Sequence, residues 1–112
     1  MTTAEPASRP TETGELSVVV IRGDGIGPEL VDSALAVLEA ATAAEGVRLT
    51  VGEVSGGAAH FRDTGEPIDP DALARLRAVD GVLKGPVGLP DVRRKDGTEG
   101  GLLGGVLRGG LD

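Results

Sequence analysis

"IRGDGIGPEL", residues 21–30, sets three glycines and a proline between two apolar runs. Before it, "LSVVVI" (16–21) is a β-branched run bounded by a polar tail and the glycines, the pattern of a buried strand. After it, Pro28 and Glu29 suit the first turn of a helix, because proline loses no hydrogen bond there and a carboxylate favours the positive helix end. Leu30, Val31, Ala34, Leu35, Val37, Leu38 and Ala41 then recur at helical spacing on one broad face, to about Glu45, with Gly46 as the stop. The stretch is therefore a strand turning into a helix. Whether the turn also cradles a phosphate stays open at this point. Gly23 and Gly25 fit the dinucleotide fingerprint G-x-G-x-x-G, but Pro28 stands in place of its third glycine. Glu53, where a ribose ligand would be sought, comes later than the usual spacing of about 20 residues.

The rest of the chain repeats the alternation. "VRLTVGEV" (47–54) alternates apolar and polar positions and reads as a second strand. "SGGAAHFRDTGEPI" (55–68) is turn-rich and shows no strong period. In "IDPDALARLRAV" (68–79), Asp69 suits the N-cap, Pro70 the first helical position and Asp71 the helix dipole, and Leu73, Leu76 and Ala78 give a short apolar face. "DGVLKGPVG" (80–88) reads as a third strand breaking into a loop, and "LPDVRRKDGTEGG" (89–101) as a long polar loop. "LLGGVLRGGLD" (102–112) has helical spacing at Leu102, Leu103, Val106 and Leu107, weakened by four glycines. Strand, helix, strand, helix, strand, helix predicts an α/β fold with a parallel or mixed sheet flanked by helices. Residues 1–15 read as a disordered tail, and residues 16–112 as one incomplete domain. Three strands with two or three helices scarcely cover both faces of a parallel sheet, which points to further material.

Composition narrows the function. The chain has 112 residues and a net charge of −7, which argues against nucleic acid or an anionic membrane surface as partner. It has no cysteine and one histidine, His60, so thiolate chemistry and a His-rich metal site are excluded. Phe61 is the only aromatic, so the core must be built from Val, Leu, Ile and Ala. No apolar stretch reaches membrane-span length and no signal peptide is visible, so the cytoplasm is the expected location.

Several residues carry chemistry and a plainer reading side by side. Asp24 and Glu29 are catalytic carboxylates, or they satisfy loop amides and a helix N-terminus. His60 is a general base, or a loop residue. The run Arg93, Arg94, Lys95 grips a phosphate, or is a solvated loop. Arg108, on a segment otherwise small and apolar, has the form of a carboxylate clamp. No complete catalytic set is present.

"VVVIRGDGIGPELVDSALAVLEA" closely resembles the opening of the isopropylmalate/isocitrate dehydrogenase family, the metal-dependent β-decarboxylating dehydrogenases, with residues 23–29 matching at every position. "GGAAHFRDTGEPIDPDALARLRAVDGVLKGPVGLP" is similar to the family's segment ending in a strand and a G-x-V-G-x-P loop, and "TEGGLLGGVLRGGLD" to its loop and helix bearing the first substrate arginine. The resemblance runs collinearly through residues 16–112. It implies a non-Rossmann cofactor fold and an NAD- or NADP-dependent enzyme. Such an enzyme oxidises a 2-hydroxy acid of the malate type and decarboxylates the product with Mg²⁺ or Mn²⁺. The expected substrate is 3-isopropylmalate, with isocitrate and tartrate as alternatives. The family is commonly homodimeric. By the same resemblance Arg108 matches the first substrate-carboxylate arginine, and Leu102 and Leu103 lie where the substrate's side group is selected. Leu89 and Pro90 mark the loop beside the cofactor, and Glu99 matches the acid near the nicotinamide. The family's catalytic tyrosine and lysine and its metal-binding aspartates correspond to nothing in these 112 residues. No catalytic residue and no metal ligand is therefore expected here, and the chain is expected to be an N-terminal fragment, inactive alone. The alternative from another class is a non-catalytic α/β module that binds a nucleotide or anion.

Overall fold

A computed structural model describes residues 14–103 and 107. Among these are three strands and three helices, in the order β1 (Glu15–Ile21), α1 (Gly27–Ala44), β2 (Arg48–Glu53), α2 (Ala58–Thr64), α3 (Pro70–Arg77) and β3 (Gly81–Lys84). The strands form one parallel sheet in the order β2-β1-β3, so the β-branched run of β1 is the central strand. The fold is α/β, as the sequence predicts. β1 begins at Glu15, one residue inside the segment read as tail, and residues 1–13 lie outside the described residues.

A central strand must be apolar on both faces. Val18, Val19, Val20 and Ile21 are 6%, 2%, 1% and 0% exposed. Val18 and Val20 pack under α1 against Val31, with Leu35, Leu38, Leu49 and Leu83 partly buried around them. Val19 and Ile21 face the other way, into a second cluster with Val54, Ile68, Ala72, Leu76 and Leu103. α1 starts with proline in its first turn and ends before Gly46, both as expected. Its buried face is narrower than its apolar one, because Leu30 and Val37 stand 50% and 70% exposed while Val31 is buried.

Two expectations need correction. The stretch 55–68 is not merely turns, since it holds α2, which ends at a left-handed Gly65. Leu102 and Leu103 do not lie on a helix either, although Leu107 is helical and its N–H donates to the Leu103 carbonyl at 2.8 Å. α3 begins at Pro70 as predicted, with Asp69 at the N-cap position. The Asp69 carboxylate, however, makes no capping hydrogen bond and instead meets His60. No helix among the described residues is long and apolar enough to cross a membrane.

Candidate functional site

Parallel strands end on one side. Ile21, Glu53 and Lys84 close their strands at the same edge, and the loops that follow gather there. In open α/β sheets, ligands bind in the crevice outside the carboxyl ends of the strands. Two of the loops are fused. The Gly85 N–H donates to the Ile21 carbonyl at 2.8 Å, and the Asp24 N–H to the Pro86 carbonyl at 2.9 Å. Gly23 lies at φ +80, and a Cβ there would collide with the Pro86 carbonyl oxygen. Only glycine lets the strand-to-helix turn approach residues 85–88 this closely.

Asp24 is the pin of the junction. It is 7% exposed, and its carboxylate accepts three backbone hydrogen bonds: Ala58 N–H at 2.7 Å, Gly88 N–H at 2.8 Å and Ala59 N–H at 3.0 Å. Ala58 and Ala59 open α2, whose own N-cap is a glycine with no side chain to offer. Asp24 thus caps that helix from 34 residues away in sequence, and also holds the loop after β3. Burial pushes its carboxyl up. The N–H groups of Gly88, Ala59 and Ala58, aided by the Arg62 charge, outweigh this and hold it below the usual carboxylate range. With three backbone amides on its carboxylate, Asp24 is placed to organise loops. Glu29 is exposed on the first turn of α1.

The pinned elements form the two walls of a cleft of about 590 Å³. Phe61, Arg62 and Gly65 line it from α2 and its end, and Leu89, Pro90, Asp91, Val92 and Arg93 from the loop. The Arg93 Nε–H donates to the Pro90 carbonyl at 3.1 Å, and the Arg94 guanidinium lies 5.2 Å from the centre of the Phe61 ring. Beyond them the loop folds back on itself. The Arg94 N–H reaches the Thr98 carbonyl at 2.8 Å and the Gly100 N–H the Val92 carbonyl at 3.1 Å. Asp96 closes the tip by accepting from the Thr98 hydroxyl at 2.6 Å and N–H at 3.0 Å, which holds its carboxyl below the ordinary range.

Leu89 and Pro90, taken from the sequence as cofactor-loop residues, therefore line the cleft together. Glu99 is exposed, pairs with Arg93 in a short antiparallel bridge, and brings its carboxylate beside Gly88. Leu102 and Leu103 part company: Leu102 is 44% exposed, and Leu103 is 0% exposed in the core. The pair gives one accessible apolar surface and one anchor beneath it. Arg108 lies outside the described residues. His60 is not solvated: Ser55 Oγ and Asp69 Oδ1 each lie 3.0 Å from one of its ring nitrogens, so it ties the loop after β2 to the start of α3. Phe61 and Arg62 are the cleft residues that the sequence does not announce. A lone aromatic in a glycine-rich chain was the available signal for Phe61, and Arg62 carried none. Among the described residues there is no grouping of three or more His, Asp or Glu able to hold a metal ion.

The model of the isocitrate/isopropylmalate dehydrogenase family matches residues 17–112. A 3-isopropylmalate dehydrogenase of Clavibacter michiganensis subsp. michiganensis is 41% identical over 96 residues, covering 86% of this chain and 25% of that protein. One from Anaeromyxobacter dehalogenans is 43% identical over 97 residues, covering 84% of this chain and 27% of that protein. The crystal structure of a β-decarboxylating dehydrogenase from Thermococcus kodakarensis, in its apo form, superposes with a TM-score of 0.68 at 36% identity, covering 86% of this chain and 26% of that one. The chain thus spans about a quarter of the length of the relatives it matches.

Proposed function

The chain belongs to the isocitrate/isopropylmalate dehydrogenase family, and from that premise we propose that it supplies the first part of an NAD(P)-dependent oxidative decarboxylase of malate-type 2-hydroxy acids. The observation that carries this is the pinned junction at the strand ends, where residues 23–29 and 85–90 meet through Asp24. It places the matched loops where an α/β sheet receives its ligands. In this reading Leu89, Pro90 and Glu99 border the nicotinamide cofactor, Leu102 with Leu103 beneath it meets the substrate's side group, and Arg108 grips its carboxylate. The substrate is 3-isopropylmalate, with isocitrate and tartrate as the alternatives to assay.

A divalent ion supplies Lewis-acid stabilisation of the substrate oxygens in chemistry of this kind. The described residues hold no ligand set for it. In this reading NAD(P)⁺ accepts the hydride, and proton transfer and metal binding belong to the remainder of a complete family polypeptide, working as a cytoplasmic homodimer. The chain alone is inactive.

A chimera tests the proposal. This chain replaces the matching quarter of the Clavibacter enzyme and is assayed with NAD⁺ or NADP⁺, Mg²⁺ and a panel of alkylmalates, isocitrate and tartrate. Turnover of one panel member by the chimera, with none by the 112-residue chain alone, supports the reading. A folded chimera inert towards the whole panel sinks it, and turnover by the isolated chain sinks the assignment of chemistry to the remainder.

A further inference from the structure

We propose that Ser55, His60 and Asp69 form a site that cleaves small carboxylic esters by acyl transfer through Ser55. The site shares no lining residue with the cleft between α2 and residues 89–93, and it is independent of the decarboxylase reading. Ser55 stands exposed two residues beyond β2, at the edge where the strands end. His60 is carried by α2, and Asp69 occupies the N-cap position of α3. Ser55 Oγ lies 3.0 Å from His60 Nδ1, and Asp69 Oδ1 lies 3.0 Å from His60 Nε2.

The partners decide the tautomer. A carboxylate accepts and cannot donate, so the ring hydrogen sits on Nε2, facing Asp69. Nδ1 of the neutral ring is then an acceptor, and the Ser55 hydroxyl donates to it. Nucleophile, base and orienting carboxylate thus stand in the order of a Ser-His-Asp triad, with the two ring nitrogens exchanged. Asp69 makes this contact while its side chain leaves the N-terminus of α3 uncapped. The His60 side chain is 10% exposed, whereas Ser55 is open to solvent. Nucleophile and base both stand on firm backbone. Asp24 holds the first amides of α2, and Gly56, next to Ser55, lies so close to Ile21 and Leu103 that a Cβ would be 3.3 Å from each.

Ser55 and Asp69 line a depression of about 280 Å³ together with Glu53, Asp71, Ala72 and Arg75. Pockets for drug-sized ligands begin at roughly 300 Å³, so this one suits a short acyl group. Three acids against one arginine disfavour an anionic ester. Arg75 donates from Nη1 to the Glu53 carbonyl at 3.1 Å, which sets its guanidinium in the same depression as a donor for the oxyanion. In the first step Ser55 Oγ bonds to the carbonyl carbon of the ester while its proton passes to His60 Nδ1. The bond from that carbon to the alcohol oxygen then breaks, and the alcohol leaves with the proton from Nδ1. In the second step water adds to the acyl-serine and gives a proton to Nδ1. The acid departs as Ser55 Oγ takes that proton back. One ester and one water become one acid and one alcohol, with no net redox change.

The full 112-residue chain is mixed with p-nitrophenyl acetate. Phenolate release is followed by absorbance, and the acetylated residue is located by peptide mass spectrometry. A burst of one equivalent and a slower steady release are expected, with the acetyl group on Ser55. Ser55→Ala should abolish the burst and slow release at least about tenfold. His60→Gln should lower the Ser55-dependent rate about a hundredfold, through loss of the base. Asp69→Asn should lower it about tenfold, because an amide no longer imposes the tautomer. Thermal melts of every variant are compared with the parent. Ser55→Ala removes only an exposed hydroxyl, so its comparison decides the matter even where His60→Gln unfolds. Acetyl groups confined to Lys84, Lys95 or the N-terminus would overturn the proposal. So would equal release by parent and Ser55→Ala, or Ser55 acetylated as fast in a folded His60→Gln as in the parent. A burst with no further release would overturn the hydrolytic second step.

Discussion

Two glycine-rich loops stand at the same end of the sheet, and they use glycine for different reasons. In residues 23–27 two of the three glycines allow close approach, since a Cβ on Gly23 would meet the Pro86 carbonyl and one on Gly27 the Arg22 carbonyl, while Gly25 serves only its positive φ. In residues 94–98 the tip is a self-contained turn, and Gly97, at φ +88, has nothing within 4 Å of where its Cβ would lie, whereas Gly100 and Gly101 beyond the tip press on Phe61 and Ala58. The first loop is welded to the body of the protein by Asp24. The second hangs on bonds within itself, Arg94 N–H to Thr98 O and Asp96 to Thr98. Similar composition thus gives a structural joint in one place and an adaptable rim in the other.

The largest test of that contrast is Gly23→Ala. It combines an unfavourable φ with a backbone collision, and no flexible side chain is available to yield. The expected loss exceeds about 3 kcal/mol, enough to abolish a cooperative urea transition in a chain this small. A variant that still melts cooperatively within about 1 kcal/mol of the parent would show that the joint between residues 23 and 86 yields.

Asp24→Asn comes next. Asparagine keeps one acceptor oxygen but turns an amide NH₂ towards backbone N–H groups that the carboxylate satisfied. The expected cost is about 2–3 kcal/mol at neutral pH. The pH dependence has a definite sign. The folded carboxyl titrates below its unfolded value, so its contribution is fully present above an unfolded pKa of about 3.9 and is lost as pH falls through the lowered folded value. Urea midpoints of parent and variant should therefore differ by a constant amount near neutrality and converge in acid. A gap independent of pH down to the acid limit would mean that the ionised carboxylate is not the pin.

This pin also marks where the sequence stops being legible. β1, α1, β2, α3 and β3 follow from period, β-branching and punctuation because those signals are local. α2 is not legible because its N-terminus carries none of its own: Gly57 offers no capping side chain, and the acceptor comes from Asp24 far upstream. Its terminating Gly65 has the form of a stop, but a stop without a local start does not announce a helix. Asp69 shows the converse. It sits at the predicted cap position, yet its side chain goes to His60, a partner that only tertiary packing supplies. In the candidate site, Leu89 and Pro90 were found through resemblance. Phe61 and Arg62 face them only because Asp24 draws α2 and the loop together.

Gly97→Ala should cost about 1 kcal/mol, the left-handed penalty alone, because the space around it is open. The same urea series measures it. If Gly97→Ala and Gly23→Ala prove equally damaging, the distinction between joint and rim fails. If Gly97→Ala is nearly silent, the rim is freer than its hydrogen bonds suggest.

The smallest stability effect belongs to the outer side of α1, and there the contrast sharpens into one between packed and open surface. Arg22 binds both Asp32 of α1 and Glu53 of β2, which turns the acidic side of the helix towards β2. From the buried stripe of Val31, Leu35 and Leu38 the apolar arc continues through Ala34 and Ala41 to Leu30, Ile26 and Val37, away from that ion pair. The last three are 50%, 63% and 70% exposed. A helix apolar over so wide an arc is built to pack on two sides, and this one packs on one. Val37→Lys should therefore change the urea midpoint by less than about 0.5 kcal/mol while lowering hydrophobic-dye fluorescence and concentration-dependent self-association. Equal dye binding by parent and variant would place the sticky surface elsewhere, with Val51 at the β2 edge, 41% exposed, the next position to change.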